Sequence, residues 1–147
     1  MAVARAQRLA PVVEMAARDE REAAKLLGHC QAQIAQVKAQ LGNLEQYRSD
    51  YQQQWIEQGQ QGVSGQWLIN YQRFLTQLET AVTQQQQSLS WHQNNLEKAR
   101  QHWQKRYARL EALRKLVERY RQEAQQLEDK REQKLLDELS QRLRPEL

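Results

Sequence analysis

The sequence has very few of the residues that break helices, link chains covalently or anchor a protein in a membrane. Only two prolines occur in 147 residues, at positions 11 and 145, and only one cysteine, Cys30. A single cysteine excludes an internal disulfide. No apolar run is long enough to cross a bilayer, and Arg5 and Arg8 interrupt the apolar region that a signal peptide would need. We therefore expect a soluble, cytoplasmic and almost entirely helical protein.

Glycine is also scarce, and its placement predicts a hairpin. Three of the five glycines, Gly59, Gly62 and Gly65, fall within seven residues. Glycine allows the positive φ angles that a chain reversal needs, so we expect a hinge over residues 58–65. Ser64 is suited to cap the helix that follows the hinge.

Both arms of this hairpin carry apolar residues spaced alternately three and four apart, from Leu9 to Trp55 and from Leu68 to Leu127. This heptad pattern is typical of helices that wind about a partner helix. Folding at the glycines brings the two heptads into phase, with the numbers of facing residues summing to 122 or 123. The predicted fold is an all-α, antiparallel two-helix coiled coil.

The predicted bounds follow from Pro11, which is tolerated only in the first turn of a helix. We expect one domain over residues 1–147, with the first helix over about 10–57 and the second over about 65–143. The apolar heptad of the first arm begins at Leu9, and Leu113 is the residue that faces Leu9 in the predicted register. Pairing of the two helices should therefore stop near Leu113. A helical overhang without an internal partner is then expected from about residue 121.

The seam contains few candidates for chemistry. Cys30 faces His92 in the predicted register, and such a pair could be metal ligands or a nucleophile with its base. We expect instead a polar core layer that sets the register, because no further Cys or His lies within reach. No catalytic or phosphate-binding motif occurs, so we predict no enzyme, no cofactor and no metal.

An apolar strip lies beside the seam near the hinge. Tyr47 and Phe74 stand outside the core positions, and four further residues complete the strip: Leu44, Tyr51, Leu78 and Ala81. Long aromatic side chains could simply widen a two-helix core. Aromatic residues exposed over several turns could equally form a docking surface for a partner.

Charge is divided unevenly along the sequence. Residues 98–144 carry fourteen Lys and Arg against eight Asp and Glu, whereas residues 45–97 carry two against five. A basic end can serve a nucleic acid, an anionic membrane or an acidic protein surface. The acidic residues interspersed with the basic ones are also typical of the solvated, self-paired face of a long helix.

Five blocks of the sequence are distinctive in their order: residues 8–13, 22–28, 44–51, 67–75 and 129–138. Together they resemble the FliJ family of the bacterial flagellar type III export apparatus, and the resemblance spans nearly the whole chain. The resemblance implies a coiled-coil hairpin similar to the rotor stalk of rotary ATPases. Members are thought to enter the export ATPase hexamer and promote its assembly, touch the membrane-embedded export gate and handle export chaperones. It also implies a location at the cytoplasmic face of the inner membrane, at the flagellar base.

The resemblance also implies a set of residues for docking on the export gate, which we call the docking strip. These residues are Gln40, Leu44, Tyr47, Tyr51, Phe74, Leu78, Ala81 and Gln85. Six of them form the apolar strip found independently beside the seam. We expect the contact with the ATPase ring on the basic end and its overhang. The candidate ring residues are Val117, Tyr120, Arg121, Ala124, Leu127, Arg131 and Leu135.

The predicted function is therefore that of a stalk and adaptor in flagellar protein export. We expect neither a small-molecule substrate nor a nucleic acid as a partner of the protein. The alternative is a homo-oligomeric structural coiled coil or a basic rod that binds nucleic acid. DNA binding that falls steeply with salt concentration would favour the basic rod.

Overall fold

The structure, a computed structural model, describes residues 2–143. Met1 and residues 144–147, which the predicted domain also includes, lie outside the described residues. The chain forms two helices, α1 over Ala2–Gln60 and α2 over Gly65–Leu143. The helices pack against each other as a hairpin, which confirms the predicted all-α fold.

Residues 61–64 connect the helices in a short turn. Gly62 has a φ of 84°, a left-handed conformation that side chains with a Cβ rarely adopt. The Oγ of Ser64 accepts a hydrogen bond of 3.1 Å from the backbone N–H of Trp67. Ser64 is therefore the predicted N-cap of α2, since its hydroxyl satisfies an N–H that has no partner within the helix.

The expected start of α1 near residue 10 is wrong, because α1 begins at Ala2 and contains Pro11. Proline within a helix removes the bond to the carbonyl four residues earlier, here that of Gln7. Both residues are exposed, so water can bind that carbonyl. The turns before Pro11 stay helical because they pack on α2, where Ala6 is buried.

The paired part of the hairpin consequently extends further along α2 than the sequence predicts. The guanidinium of Arg5 lies 5.7 Å from the centre of the Tyr120 ring. Val3 and Ala6 line a cleft together with α2 residues as far as Glu128. The overhang therefore starts near residue 129, and the predicted start near residue 121 is corrected by about two turns.

The described chain divides into two compact units. The hinge unit, Ala24–Gln101, contains the turn, and its core includes Ile34, Leu78 and Val82. The terminal unit consists of α1 up to Ala23 and α2 from His102. Its buried residues are mostly small: Ala6, Ala16, Ala23 and Leu110. That the chain behaves as a single domain stays a prediction.

Candidate partner-binding surfaces

Six aromatic rings form a continuous series across the two helices of the hinge unit, which we call the aromatic stack. It consists of Tyr47, Tyr51 and Trp55 from α1 and Trp67, Tyr71 and Phe74 from α2. The Tyr51 ring centre lies 4.6 Å from that of Phe74 and 4.8 Å from that of Tyr71. Trp55 stacks on Tyr71 at 4.6 Å and on Trp67 at 5.4 Å. Interlocked rings of this kind bury much apolar area and hold one another in fixed orientations.

The docking strip lies along one part of this stack. Tyr47 meets the Phe74 ring edge-on at 6.1 Å, and the Tyr47 side chain is 54% exposed. Further along, the Nε2 of Gln85 donates a hydrogen bond of 2.6 Å to the Oε1 of Gln40. This bond joins the two helices at the end of the strip that lies away from the hinge.

The eight residues of the docking strip differ in how far solvent reaches them. Gln40 and Tyr47 are exposed, Leu78 is buried, and the other five are half-buried. Leu78 therefore belongs to the core and supports the strip from beneath. Only the remaining members offer surface to a partner, and Gln40 and Tyr47 are the exposed ones.

Tyr71 joins the two halves of the aromatic stack, and its heptad position assigned it only to the core. Its side chain is buried, and this burial raises the pKa of the phenol, with Tyr51 and Glu79 acting in the same direction. Tyr71 therefore stays neutral throughout the physiological pH range. The sequence signal for the stack was the presence of aromatics at both core and flanking positions on either side of the glycines.

In the terminal unit, polar contacts join the helices where the seam carries small or charged residues. The Nε1 of Trp103 donates a hydrogen bond of 3.2 Å to the Oε1 of Glu20. The Nη1 of Arg106 lies 3.4 Å from the Oδ2 of Asp19. The pairing of Glu20 with Trp103 is the one that the predicted register requires.

The structure separates the seven candidate ring residues into two groups. Val117, Tyr120 and Ala124 are half-buried and face α1. Arg121 is exposed and lines clefts of about 410 and 570 Å³ against the alanines of α1. The other three are exposed: Leu127, near the end of the paired stretch, and Arg131 and Leu135 in the overhang.

The overhang, residues 129–143, is exposed at every position. It includes four leucines, and they carry its apolar surface: Leu135, Leu136, Leu139 and Leu143. Leucines three and four residues apart lie along one side of a helix, so this segment is amphipathic. A helix with an uncovered leucine side is typical of a segment that binds another macromolecule.

The terminal unit also carries positive charge that its own carboxylates do not neutralise. Ion pairs engage Arg18, Arg106 and Arg114. Among the described residues, Lys105 and Arg109 have no carboxylate within 4.0 Å. These cations are available to an acidic partner surface.

The described residues contain no group of three or more His, Cys, Asp or Glu side chains arranged to hold a metal ion. Cys30 is buried and free, and the ring of His92 contacts Trp91 at 4.9 Å. In the part of the chain that the structure describes, neither helix has a stretch apolar enough to cross a membrane. The surfaces that stand out are therefore the docking strip, the clefts and the overhang.

This architecture defines the class of the protein as a small all-α coiled-coil hairpin. The family model "Flagellar FliJ protein" matches residues 5–144, so the chain belongs to this family. It is 32% identical to a Flagellar FliJ protein of Escherichia coli (strain K12) over 134 residues, covering 91% of each chain. It is 30% identical to one of Salmonella typhi over 129 residues, covering 88% of each chain.

Membership of this family makes the chain a non-enzymatic component of the flagellar export apparatus. This confirms the resemblance that the sequence blocks indicated. Its partners belong to that apparatus.

Proposed function

We propose that the chain acts as a stalk and adaptor between the export ATPase and the export gate. The terminal unit enters the ATPase ring and promotes its assembly, and the docking strip binds the gate, a membrane protein. The same protein escorts export chaperones. It would work at the cytoplasmic face of the inner membrane.

The exposed overhang is the single observation that supports this proposal most. Residues 129–143 form about 22 Å of helix at 1.5 Å per residue. This segment gains no stability from packing on α1, because each of its side chains is exposed. Its leucines remain available for a partner, and a ring of subunits could surround a single helix on all sides.

Charge favours the terminal unit over the hinge unit as the part that enters the ring. Leu127 and Leu135 supply apolar contacts, while Arg121 and Arg131 supply positive charge close to them. Buried apolar groups with Arg near them are the usual composition of a strong protein interface. Residues 45–97, the part of the hinge unit on either side of the turn, are instead mildly acidic, with two Lys and Arg against five Asp and Glu.

The docking strip supports the gate contact because it offers aromatic surface that is already held in place. Phe74 is held between Tyr47 and Tyr51, whose ring centres lie 6.1 and 4.6 Å from its own. Little side-chain entropy remains to be lost when a partner covers them. Aromatic residues in such positions dominate the binding energy of many interfaces.

ATP turnover by the purified export ATPase tests the ring contact. We expect Leu135→Gln with Leu139→Gln to reduce stimulation at least about tenfold, because two apolar contacts are replaced by amides. The control is Leu26→Gln, since Leu26 is an exposed leucine of the hinge unit. Full stimulation by the double variant would contradict the ring contact of the overhang.

Binding to the purified cytoplasmic part of the export gate tests the docking strip. Tyr47→Ala with Phe74→Ala should abolish this binding while circular dichroism shows unchanged helicity. Trp91→Ala is the matched control, because Trp91 is an exposed aromatic of the same unit that lies outside the aromatic stack. If both variants bind the gate like the parent, the aromatics serve only the core.

A further inference from the structure

The hinge end of the molecule is nearly free of charge, although charged residues make up 27% of the chain. We call residues 51–72 the hinge tip. Glu57 is its only charged residue, and none occurs from Gln58 to Gln72. The other polar side-chain groups of the tip are neutral: amides, the hydroxyls of one serine and two tyrosines, and the indole N–H groups of two tryptophans. Removing the tip from water avoids most of the large cost of burying charges, but its nine side-chain amides need hydrogen-bond partners in any surface that covers them.

Large aliphatic side chains are exposed around the hinge tip. Ile56 is 60% exposed, Ile69 52% and Val63 41%. Ile56 follows the core residue Trp55 in α1, and Ile69 follows the core residue Leu68 in α2. On a helix, a residue that follows a core position lies on the opposite side of the seam from a residue that precedes one. Ile56 and Ile69 therefore lie on the side away from the docking strip, because Tyr47 and Phe74 precede core positions.

The turn and the glycines beside it add an apolar side chain and uncovered backbone at the end of the hinge unit. Val63 lies in the turn itself. No heavy atom of a non-neighbouring residue lies within 4 Å of where a Cβ would stand on Gly59 or Gly65, so space beside both residues is open. The tip therefore presents apolar groups on the side away from the strip and at its end. On the side of the strip it presents Trp67, half-buried.

The tip is also held rigidly. Within it, Trp55 and Trp67 stack at 5.4 Å, and Tyr71 stacks on both indoles. Ser64 caps α2 directly after the turn. A surface fixed in this way loses little conformational entropy on binding, which favours a specific partner.

The composition of the tip distinguishes a protein partner from a lipid surface. Segments that lie in a membrane interface carry Lys and Arg beside their apolar residues. The hinge tip has none, and the nearest cation in sequence is Arg73. Apolar residues surrounded by neutral polar groups and depleted of charge are instead typical of the core of a protein interface.

We propose that the hinge tip inserts end-on into an uncharged socket of the export gate, which is apolar opposite Ile56, Val63 and Ile69 and offers hydrogen-bond partners to the amides around them. This inference rests on the proposed function, since it takes the gate as the partner of the hinge unit. The tip is continuous with the docking strip, because the aromatic stack runs from Tyr47 to Trp67 without a break. One partner therefore covers the strip from the side and the tip from the end.

The test measures affinity of the full-length chain for the purified cytoplasmic part of the export gate. Ile56→Gln with Ile69→Gln replaces two exposed aliphatic groups by amides like those around them. We expect binding to weaken at least about tenfold. Leu26→Gln is the matched control and should bind like the parent, and circular dichroism checks that all variants stay helical.

Two comparisons separate failure of this inference from failure of the proposed function. If Tyr47→Ala with Phe74→Ala weakens binding and the tip variant does not, the strip alone docks and the socket is overturned. If the parent chain does not bind the gate, the proposed function fails and the socket fails with it.

Vesicles of phosphatidylcholine, with and without phosphatidylglycerol, provide the lipid arm of the test. We expect no co-sedimentation of the parent chain with either kind. The proposal would be overturned if the parent chain bound vesicles, the tip variant did not, and the tip variant still bound the gate like the parent. That result would show that lipid covers the tip.

Discussion

The indole of Trp103 on α2 donates its N–H to the carboxylate of Glu20 on α1, at 3.2 Å and across 83 residues of sequence. Both partners occupy heptad positions in a part of the seam where alanines are buried. Small side chains interlock poorly, so they specify little about how two helices align. The Trp103 and Glu20 pair, with Arg106 and Asp19 beside it, therefore holds the register of the terminal unit.

A double-mutant cycle measures this contact. We expect Glu20→Ala and Trp103→Phe each to lower the free energy of unfolding by about 1 to 2 kcal/mol, because each removes one partner of an interhelical hydrogen bond. The coupling between them should be about 1 kcal/mol. Urea unfolding of the four proteins provides the measurement, and Glu22→Ala, at an exposed neighbouring position, serves as the control. Strict additivity would contradict the contact.

The turn allows a prediction in which two glycines respond with opposite signs. Gly62 has a φ of 84°, so Gly62→Ala should destabilise by about 1 kcal/mol through backbone strain alone, since no atom crowds the position. Gly28 is exposed within α1 and has open space around it. Gly28→Ala should stabilise by about 0.5 to 1 kcal/mol. Thermal unfolding compares the two variants, and a shift in the same direction for both would contradict the assignment of the turn.

Tyr71 makes stability depend on pH in the alkaline range. Its pKa is raised by burial, so the unfolded chain loses the phenol proton at a lower pH than the folded chain does. Its contribution to stability is complete below the unfolded pKa and is lost as pH rises through the folded pKa. Tyr71→Phe keeps the ring in the stack and removes the titratable hydroxyl. We expect urea midpoints at pH 9 and pH 11 to differ less for this variant than for the parent, and an equal difference would refute the prediction.

Truncation from either end separates the packed part of the terminal unit from the overhang. Removing residues 129–147 should change the free energy of unfolding by less than about 1 kcal/mol, because residues 129–143 bury nothing on α1. Removing residues 1–8 should cost about 1 to 3 kcal/mol, since it uncovers the surface that Ala6 and Arg5 contact. Equal effects of the two truncations on the melting temperature would show that the pairing is placed wrongly.

The sequence predicted the hairpin well because the evidence for it is repetitive. Each heptad repeats the same signal, and the two heptads agree in phase across one turn. A single charged residue at an apolar heptad position, such as Arg48 between Leu44 and Tyr51, therefore does not change the result. Pairs such as Tyr51 with Tyr71 lie where that phase places them. The start of α1 was predicted wrongly because a local rule about Pro11 was applied without the packing of the preceding turns.

The candidate surfaces could be found only in part from the sequence. The aromatics near the hinge indicated a surface strip, and Tyr47 is indeed exposed. Heptad position alone could not show that Tyr71 joins the strip to Trp55 and Trp67, since ring orientation depends on side-chain rotamers. The candidate ring residues were predicted to have no partner on α1. Three of them, Val117, Tyr120 and Ala124, face α1 because that helix begins earlier than expected.

The sequence by itself determined that two long helices meet at a glycine turn, since periodicity and helix breakers act locally and need no knowledge of the partner. It also determined the family, through the order of its blocks. Only the tertiary structure decided where pairing ends and which side chains remain exposed. Those properties depend on how far one helix reaches along the other, and this is set by the total packing free energy of the contacts between them rather than by any single residue.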